Sequence, residues 1–160
     1  IVGSDFTSGM LVLGQAKIVA TQYRQRIVLV NAPCEALPHP SEVFDGVTIA
    51  FGIRNVVDRE KGLSEMARVL KPGGRVVILE FSTPTNPLVR ALYHFYFLRV
   101  LPWLGGLLSQ RSAYQYLPDS VLEFPERPIF MTMMKQAGFV DVELTDLTGG
   151  IVSVYVGRKP

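Results

Sequence analysis

Residues 68–82 read RVLKPGGRVVILEFS, from Arg68 to Ser82, and this stretch decides the fold class. Its first residues close an amphipathic run in which Leu63, Met66, Ala67 and Leu70 recur at i, i+3, i+4 and i+7, one apolar face of a helix. Asp58 stands at the N-cap position, where a short carboxylate accepts from free first-turn amides, so the spacing predicts a helix over Arg59–Leu70. Lys71-Pro72-Gly73-Gly74 stops that helix with a C-terminal cation followed by Pro and Gly breakers. Arg75–Phe81 is β-branched and almost continuously apolar, as a parallel strand covered on both faces reads. Helix, abrupt stop and buried strand make the repeating half of an α/β sheet.

The same alternation extends both ways. Phe44–Phe51 (FDGVTIAF) and Arg26–Asn31 (RIVLVN) read as strands, and Ile1-Val2-Gly3 as the end of another. Thr7 or Ser8 caps a helix running to about Ala20. Toward the C-terminus, Glu126–Ala137 reads as a helix ending at Gly138. Phe139–Leu147 and Gly150–Val156 read as an antiparallel pair joined at Thr148-Gly149. Between Phe81 and Leu117 the composition changes: eight of the chain's sixteen aromatic residues fall here, and the charged residues are Arg90, Arg99 and Arg111. A helix is predicted around Leu88–Leu101 with no single polar stripe, so protein or an apolar ligand must cover it.

Composition narrows the function classes. With 48% hydrophobic and 19% charged residues in 160, the chain is neither disordered nor fibrous. One cysteine, Cys34, forms no internal disulfide. A net charge of +2 is too balanced for a dedicated nucleic-acid binder. The mean hydropathy of +0.26 is high and points to an apolar partner. No run of eighteen apolar residues occurs, so no transmembrane helix is predicted.

Several chemistries find no support. His39 and His94 lack metal-ligand companions, and no local context joins Cys34 to His39 as a nucleophile pair. P-loop and Gly-rich dinucleotide fingerprints are both missing. Interest falls instead on strand ends, because open α/β sheets bind ligands at the carboxyl ends of their strands. Asp5 follows the first strand, where a carboxylate either holds the two hydroxyls of a ribose or favours the helix dipole; the spacing leaves both readings open. Gly52 permits close approach of a ligand to the backbone. Arg54 and Asn55 either orient an oxygen-bearing substrate or, in Arg54's case, form a salt bridge at the sheet edge. Glu80, inside an apolar strand, must be paired or hydrogen-bonded.

The run RVLKPGGRVVILEFS also resembles the signature of the ubiquinone/menaquinone-biosynthesis C-methyltransferases, class I S-adenosylmethionine enzymes. The resemblance spans essentially the whole chain: VGSDFTSGML near the start, FDGVTIAFGIRN at Phe44–Asn55, TNPLVRAL at Thr85–Leu92, SAYQYLPD at Ser112–Asp119, MMKQAGF at Met133–Phe139, LTGG at Leu147–Gly150 and the closing GRKP. KPGG alone marks methyltransferases generally, whereas FGIRN with LEFS and LTGG is much narrower.

The resemblance implies an α/β, Rossmann-like, mostly parallel sheet with a C-terminal antiparallel hairpin, and S-adenosylmethionine as methyl donor. Asp5 matches the family's ribose-binding acid. Pro33 and Cys34 fall at the pair bracketing the adenine, and Ala50 where a serine often lines the cofactor. Arg54 and Asn55 match residues placed at the quinol. The implied reaction is C-methylation of a polyprenyl benzoquinol or demethylmenaquinol ring. A catalytically inactive methyltransferase-like scaffold or complex subunit is the alternative, and a related phenolic or lipid acceptor a third reading. Residues 82–123 resemble a helical substrate cover. Implied partners are the quinol, a homodimer or quinone-biosynthesis complex, and peripheral membrane contact. The implied location is the cytoplasm or the inner-membrane surface, on the matrix side in a eukaryote.

Departures accompany the match. Pro33 stands where an Asp or Asn side chain normally contacts adenine, Ala50 drops a hydroxyl, and His39 replaces a usual aromatic residue. The family's first strand, first helix and Gly-rich loop have no counterpart, so residues 1–160 are expected to be the C-terminal portion of a single methyltransferase domain. In the class I strand order 3-2-1-4-5-7-6, that first strand lies mid-sheet, and its absence predicts a gap of roughly 10 Å, two strand spacings.

Overall fold

In a computed structural model describing residues 1–96, 99, 120, 121 and 123–160, Asp58 caps its helix as the spacing predicts. Asp58 Oδ1 accepts from the Lys61 amide at 2.9 Å, and helix α2 runs over Arg59–Val69. The next four residues differ from expectation. Leu70 already pairs with Phe44, so strand β4 spans Leu70–Phe81, and the register shifts between Phe44 and Gly46 of strand β3 (Phe44–Ala50). Lys71–Gly74 is therefore an irregular start to the strand. Gly73 takes a left-handed φ of 79° that suits glycine alone. The Gly73 amide donates to the Lys159 carbonyl at 3.0 Å, and the Lys159 amide to the Gly74 carbonyl at 2.9 Å. The closing GRKP thus satisfies backbone groups that a free turn would leave to water.

Strand β5 (Val140–Leu147) and strand β6 (Val152–Arg158) form the expected antiparallel pair, joined by a 3-10 turn at Thr148–Gly150. The four strands order as β3-β4-β6-β5, with β3 parallel to β4 and β6 antiparallel to β4 and β5. Strand β1 (Val2–Asp5), helix α1 (Ser8–Val19) and strand β2 (Val28–Asn31) make a separate unit with its own two-stranded parallel sheet. Strand β2 begins two residues later than predicted, because residues 22–26 form a turn. Written together, the order is the class I order with the mid-sheet position between β1 and β3 open, as the sequence led one to expect.

The core belongs to the larger unit. Leu63 and Met66 of α2 pack with Val76 and Ile78 of β4, Tyr155 of β6, and Phe130 and Met134 of helix α4 (Arg127–Gln136). The Phe130 and Tyr155 rings meet edge to face at 4.8 Å. The N-terminal unit is bare by comparison: no residue of α1 is buried, and Met10, Val12 and Leu13 are exposed.

Helix α3 (Pro87–Phe95) starts where Asn86 Oδ1 accepts from the Leu88 amide at 2.9 Å, with Pro87 in the first turn. The helix predicted around Leu88–Leu101 therefore forms over its first part; its end at 100–101, and most of the expected cover over 82–123, fall outside the described residues.

Candidate functional site

The loop after β2 is shaped by α2. Glu65 Oε2 accepts from the Leu37 amide at 2.9 Å, and Arg68 donates to the carbonyls of Leu37 and His39 at 2.9 and 2.7 Å. Arg68 and Glu65 pair with each other at 2.6 Å. That hydrogen bond is the main reason the Glu65 carboxyl lies below its ordinary range. Glu35 Oε1 accepts from the Val57 amide at 3.2 Å, tying the same loop to the segment before α2. Gly62 makes the fit close: a Cβ there would sit 3.1 Å from Cys34 Sγ. Together these contacts press Pro33 and Cys34 against a cavity of about 890 Å³ between β1 and β3.

Asp5, Pro33, Cys34, Ala50 and Asn55 all line that cavity, so five of the six sequence candidates meet in one place. Asp5 partly unites its two readings. Its Oδ1 accepts from the Thr7 amide at 2.7 Å, at the entrance to α1, while Oδ2 has no hydrogen bond among the described residues. Cys34 is a neutral wall. Burial first, then Glu35 and Glu65, push its thiol up to about 11, which makes it a poor thiolate nucleophile. His39 also lines the cavity, with its ring set edge-on to Phe44 at 5.1 Å.

Arg54 is the sixth candidate, and it lies outside the cavity lining. It belongs to a 3-10 turn, Ile53–Asn55, that follows a left-handed Phe51 (φ 53°). A non-glycine residue in that region carries about 1–3 kcal/mol of strain, held here by its surroundings. Arg54 Nη1 donates to the Phe51 carbonyl and to Glu80 Oε1, the latter at 2.9 Å. Its Nε donates to Ser120 Oγ at 3.3 Å, and its guanidinium lies 5.6 Å from the Phe81 ring centroid. Nη2 makes no hydrogen bond among the described residues. Glu80 is fully buried and also accepts from the Arg54 and Phe81 amides, at 3.2 and 2.9 Å.

A second polar cluster escaped the sequence reading. Arg127 donates to the carbonyls of Thr83 and Gly150, to Ser82 Oγ and to Asp146 Oδ1, at 2.7–3.1 Å. It clamps the end of LEFS to LTGG where the chain leaves for α3. Its partners stand 19 to 45 residues away, so no local pattern announces it.

The ubiE/COQ5 methyltransferase family model matches residues 1–159. This chain belongs to that family. It is 62% identical over 159 residues to the ubiquinone/menaquinone biosynthesis C-methyltransferase UbiE of a Geobacter species, covering 99% of this chain and 68% of that protein. The protein of the same name from Geobacter sulfurreducens is 60% identical, with 99% of this chain and 62% of that protein covered. The chain thus spans about two thirds of the length of these relatives. A solved S-adenosylmethionine-dependent methyltransferase from Aquifex aeolicus superposes with a TM-score of 0.69 at 13% identity, covering 99% of this chain and 68% of that one. The family's fold is therefore the chain's fold, and the cavity runs the length of β1 and β3, reaching their carboxyl ends at Asp5 and Ala50, where α/β sheets bind ligands. Among the described residues no helix is long and apolar enough to cross a membrane, and no cluster of metal-ligating side chains occurs.

Proposed function

We propose that this chain takes part in S-adenosylmethionine-dependent C-methylation of a polyprenyl benzoquinol or demethylmenaquinol ring. The observation that carries the reading is the meeting of Asp5, Pro33, Cys34, Ala50 and Asn55 at one cavity. The cavity suits the adenosine half of the donor. Asp5 offers an uncommitted carboxylate oxygen for the ribose diol, and Pro33, the neutral Cys34 and Ala50 offer an apolar wall for the base.

When bound, S-adenosylmethionine supplies a methyl group already activated as a sulfonium, which leaves alignment to the protein. A quinol ring carbon becomes nucleophilic when the neighbouring hydroxyl gives up its proton to water; as that carbon takes the methyl, the sulfonium's S–CH3 bond would break, and the ring proton the methyl replaces would also leave to water. A guanidinium is a poor base, so Arg54 is placed to stabilise the resulting phenolate and not to take its proton. Its Nη2 is the donor left for that oxygen, since Nη1 and Nε are committed to Phe51, Glu80 and Ser120. Asn55 orients the acceptor from the cavity side. Residues 82–123 cover the substrate, and Leu88, Leu92 and Phe95, exposed at helical spacing on α3, receive the polyprenyl tail or rest on a membrane surface. A cytoplasmic or membrane-peripheral location, and assembly as a homodimer or in a quinone-biosynthesis complex, are what the family resemblance implies for such an enzyme.

The test is transfer of a labelled methyl from S-adenosylmethionine to each quinol. Residues 1–160 are assayed alone and co-expressed with the segment of the Geobacter sulfurreducens relative that lies outside the match. Label on a ring carbon supports the reading. Donor binding with no transfer in both preparations overturns it in favour of an inactive scaffold, which the departures at Pro33 and Ala50 motivate.

A further inference from the structure

The turn after β3 places its left-handed residue on an aromatic side chain. Phe51 has a φ of 53°, while Gly52 beside it keeps an ordinary negative φ of −124°. Glycine enters the left-handed region without steric cost and phenylalanine does not, so a phenyl group held there points to a use for the ring. Three contacts fix it. The Phe51 amide donates to the Leu79 carbonyl at 2.8 Å, and its carbonyl accepts from Arg54 Nη1. Its ring lies 4.6 Å from the Phe81 ring at a tilt of 35°. The Arg54 guanidinium stands 5.6 Å from the centroid of that same Phe81 ring. Phe51 nevertheless keeps 37% of its surface exposed, and Phe81 is half-buried. Two rings and a guanidinium thus make one cluster of flat groups at the carboxyl ends of β3 and β4. Ala50, Gly52 and Asn55 line the cavity proposed for the donor, and Phe51 and Arg54 do not. The cluster therefore adjoins that cavity across a single turn.

We infer that Phe51 is a specificity-determining residue for the acceptor: its ring, backed by Phe81, is the face on which the acceptor's aromatic ring stacks beside Arg54. This assignment, which rests on the proposed quinol reaction, adds what the face selects, a flat aromatic hydroquinone over a saturated ring bearing the same two hydroxyls. Aromatic rings attract in offset or tilted arrangements at centroid separations of about 4.5–7 Å, as Phe51 and Phe81 already do, and an acceptor ring extends the stack. A guanidinium beside the stack favours an electron-rich ring further. A saturated diol has no π face and gains only hydrogen bonds. The left-handed backbone serves both partners, since it turns the Phe51 carbonyl to Arg54 and the ring to Phe81.

The test uses the assembled enzyme and 1,4-naphthalenediol, kept reduced, as a tail-free probe whose binding is read from its own fluorescence. Phe51→Gly is the informative variant, because glycine keeps the left-handed backbone, and with it the carbonyl that Arg54 holds, and removes the ring. Its Kd for the probe is expected to rise about fivefold to tenfold, and Phe51→Tyr to restore it to within about twofold. Cyclohexane-1,4-diol in large excess is expected not to displace the probe. In steady-state transfer to the probe, KM is expected to rise with Kd while kcat falls by less. A ring that serves packing alone lowers the thermal midpoint of Phe51→Gly and leaves probe affinity where it was, which overturns the inference. Displacement by the saturated diol, or a loss that tyrosine does not restore, also overturns it. If Phe51→Gly fails to fold, Phe81→Leu withdraws the backing ring and is expected to weaken probe binding about threefold. An unchanged Kd in that variant is equally fatal. Methyl transfer is scored separately. Probe binding that depends on Phe51, without transfer, sinks the proposed reaction and leaves the ring face standing; transfer indifferent to Phe51→Gly does the reverse.

Discussion

Arg54 and Glu80 are each other's counterion: Nη1 and Oε1 are 2.9 Å apart, with Glu80 fully buried and Arg54 nearly so. The pair joins the turn after β3 to the end of β4, and Arg54 Nε carries the contact on to Ser120 Oγ. Glu80 and Ser120 hold Nη1 and Nε, while Nη2 makes no hydrogen bond among the described residues.

Removing Glu80 strands a cation in an apolar setting. Glu80→Ala is expected to lower stability by about 3–5 kcal/mol, because a buried charge without its partner is strongly penalised. Urea unfolding followed by circular dichroism measures it. Glu80→Gln keeps one acceptor oxygen, enough for the Arg54 amide or the Phe81 amide, and is expected to lose distinctly less. Equal losses would mean that packing, and not the ion pair, is what Glu80 supplies.

Arg54→Lys preserves the charge and discards the fork. An ammonium cannot serve Phe51, Glu80, Ser120 and a substrate oxygen together. The proposed role as phenolate stabiliser predicts a fall of about 10²–10³ in kcat, with KM for the quinol changed far less. Steady-state kinetics in the assembled enzyme read this split. A rise in KM alone would make Arg54 a binding residue.

How much of this was legible in the chain depends on the distance over which each feature is made. Asp58, the α2 stripe and the closing hairpin are local, and they fold as read. The open mid-sheet position was legible only through the family resemblance and the class I strand order it implies. The Arg54–Glu80 bond was half legible: Glu80 needs a partner and Arg54 suits a salt bridge, but nothing in a separation of 26 residues names one for the other. Lys71–Gly74 looked like a stop. It enters the strand because Lys159, at the other end of the chain, supplies its hydrogen bonds. The left-handed turn at Phe51 had no sign in the sequence; the Arg54 side chain holds its carbonyl from three residues on.

Acid should loosen the loop that carries Pro33 and Cys34. The Glu65 carboxyl is held below its ordinary value of 4.5, chiefly by its hydrogen bond from Arg68. A folded value below the unfolded one means that Glu65 stabilises the fold fully above the unfolded value. That contribution is lost as pH falls through the folded one. Exchange of the Leu37 amide, which Glu65 accepts, is expected to rise relative to α4 amides as pH drops below 4.5. Glu65→Gln should remove most of that pH dependence. An unchanged profile in the variant would assign the loosening to another group.

Cys34 should behave as a wall and not as a nucleophile. With the thiol pushed up to about 11 by burial and by Glu35 and Glu65, alkylation by iodoacetamide is expected to be slow at pH 8. Its rate should still be climbing at pH 10. Fast labelling at pH 7 would contradict the burial.

Pro33 offers the sharpest test of the donor pocket. Proline has neither the side-chain acceptor that the family resemblance implies at this position nor an amide hydrogen. It lines the cavity beside Cys34, so a carboxylate placed there faces the same space as Asp5 Oδ2. If adenine binds against this loop, Pro33→Asp adds one hydrogen bond to the base's exocyclic amine. Tightening of about threefold to tenfold is expected for S-adenosylmethionine, read by calorimetric titration of the assembled enzyme. Pro33→Ala separates the effects, since it frees the backbone without adding the acceptor and should leave affinity near its starting value. If the two variants bind the donor alike, the adenine lies elsewhere and the assignment of Pro33 and Cys34 falls, while Asp5 can still be tested at the ribose.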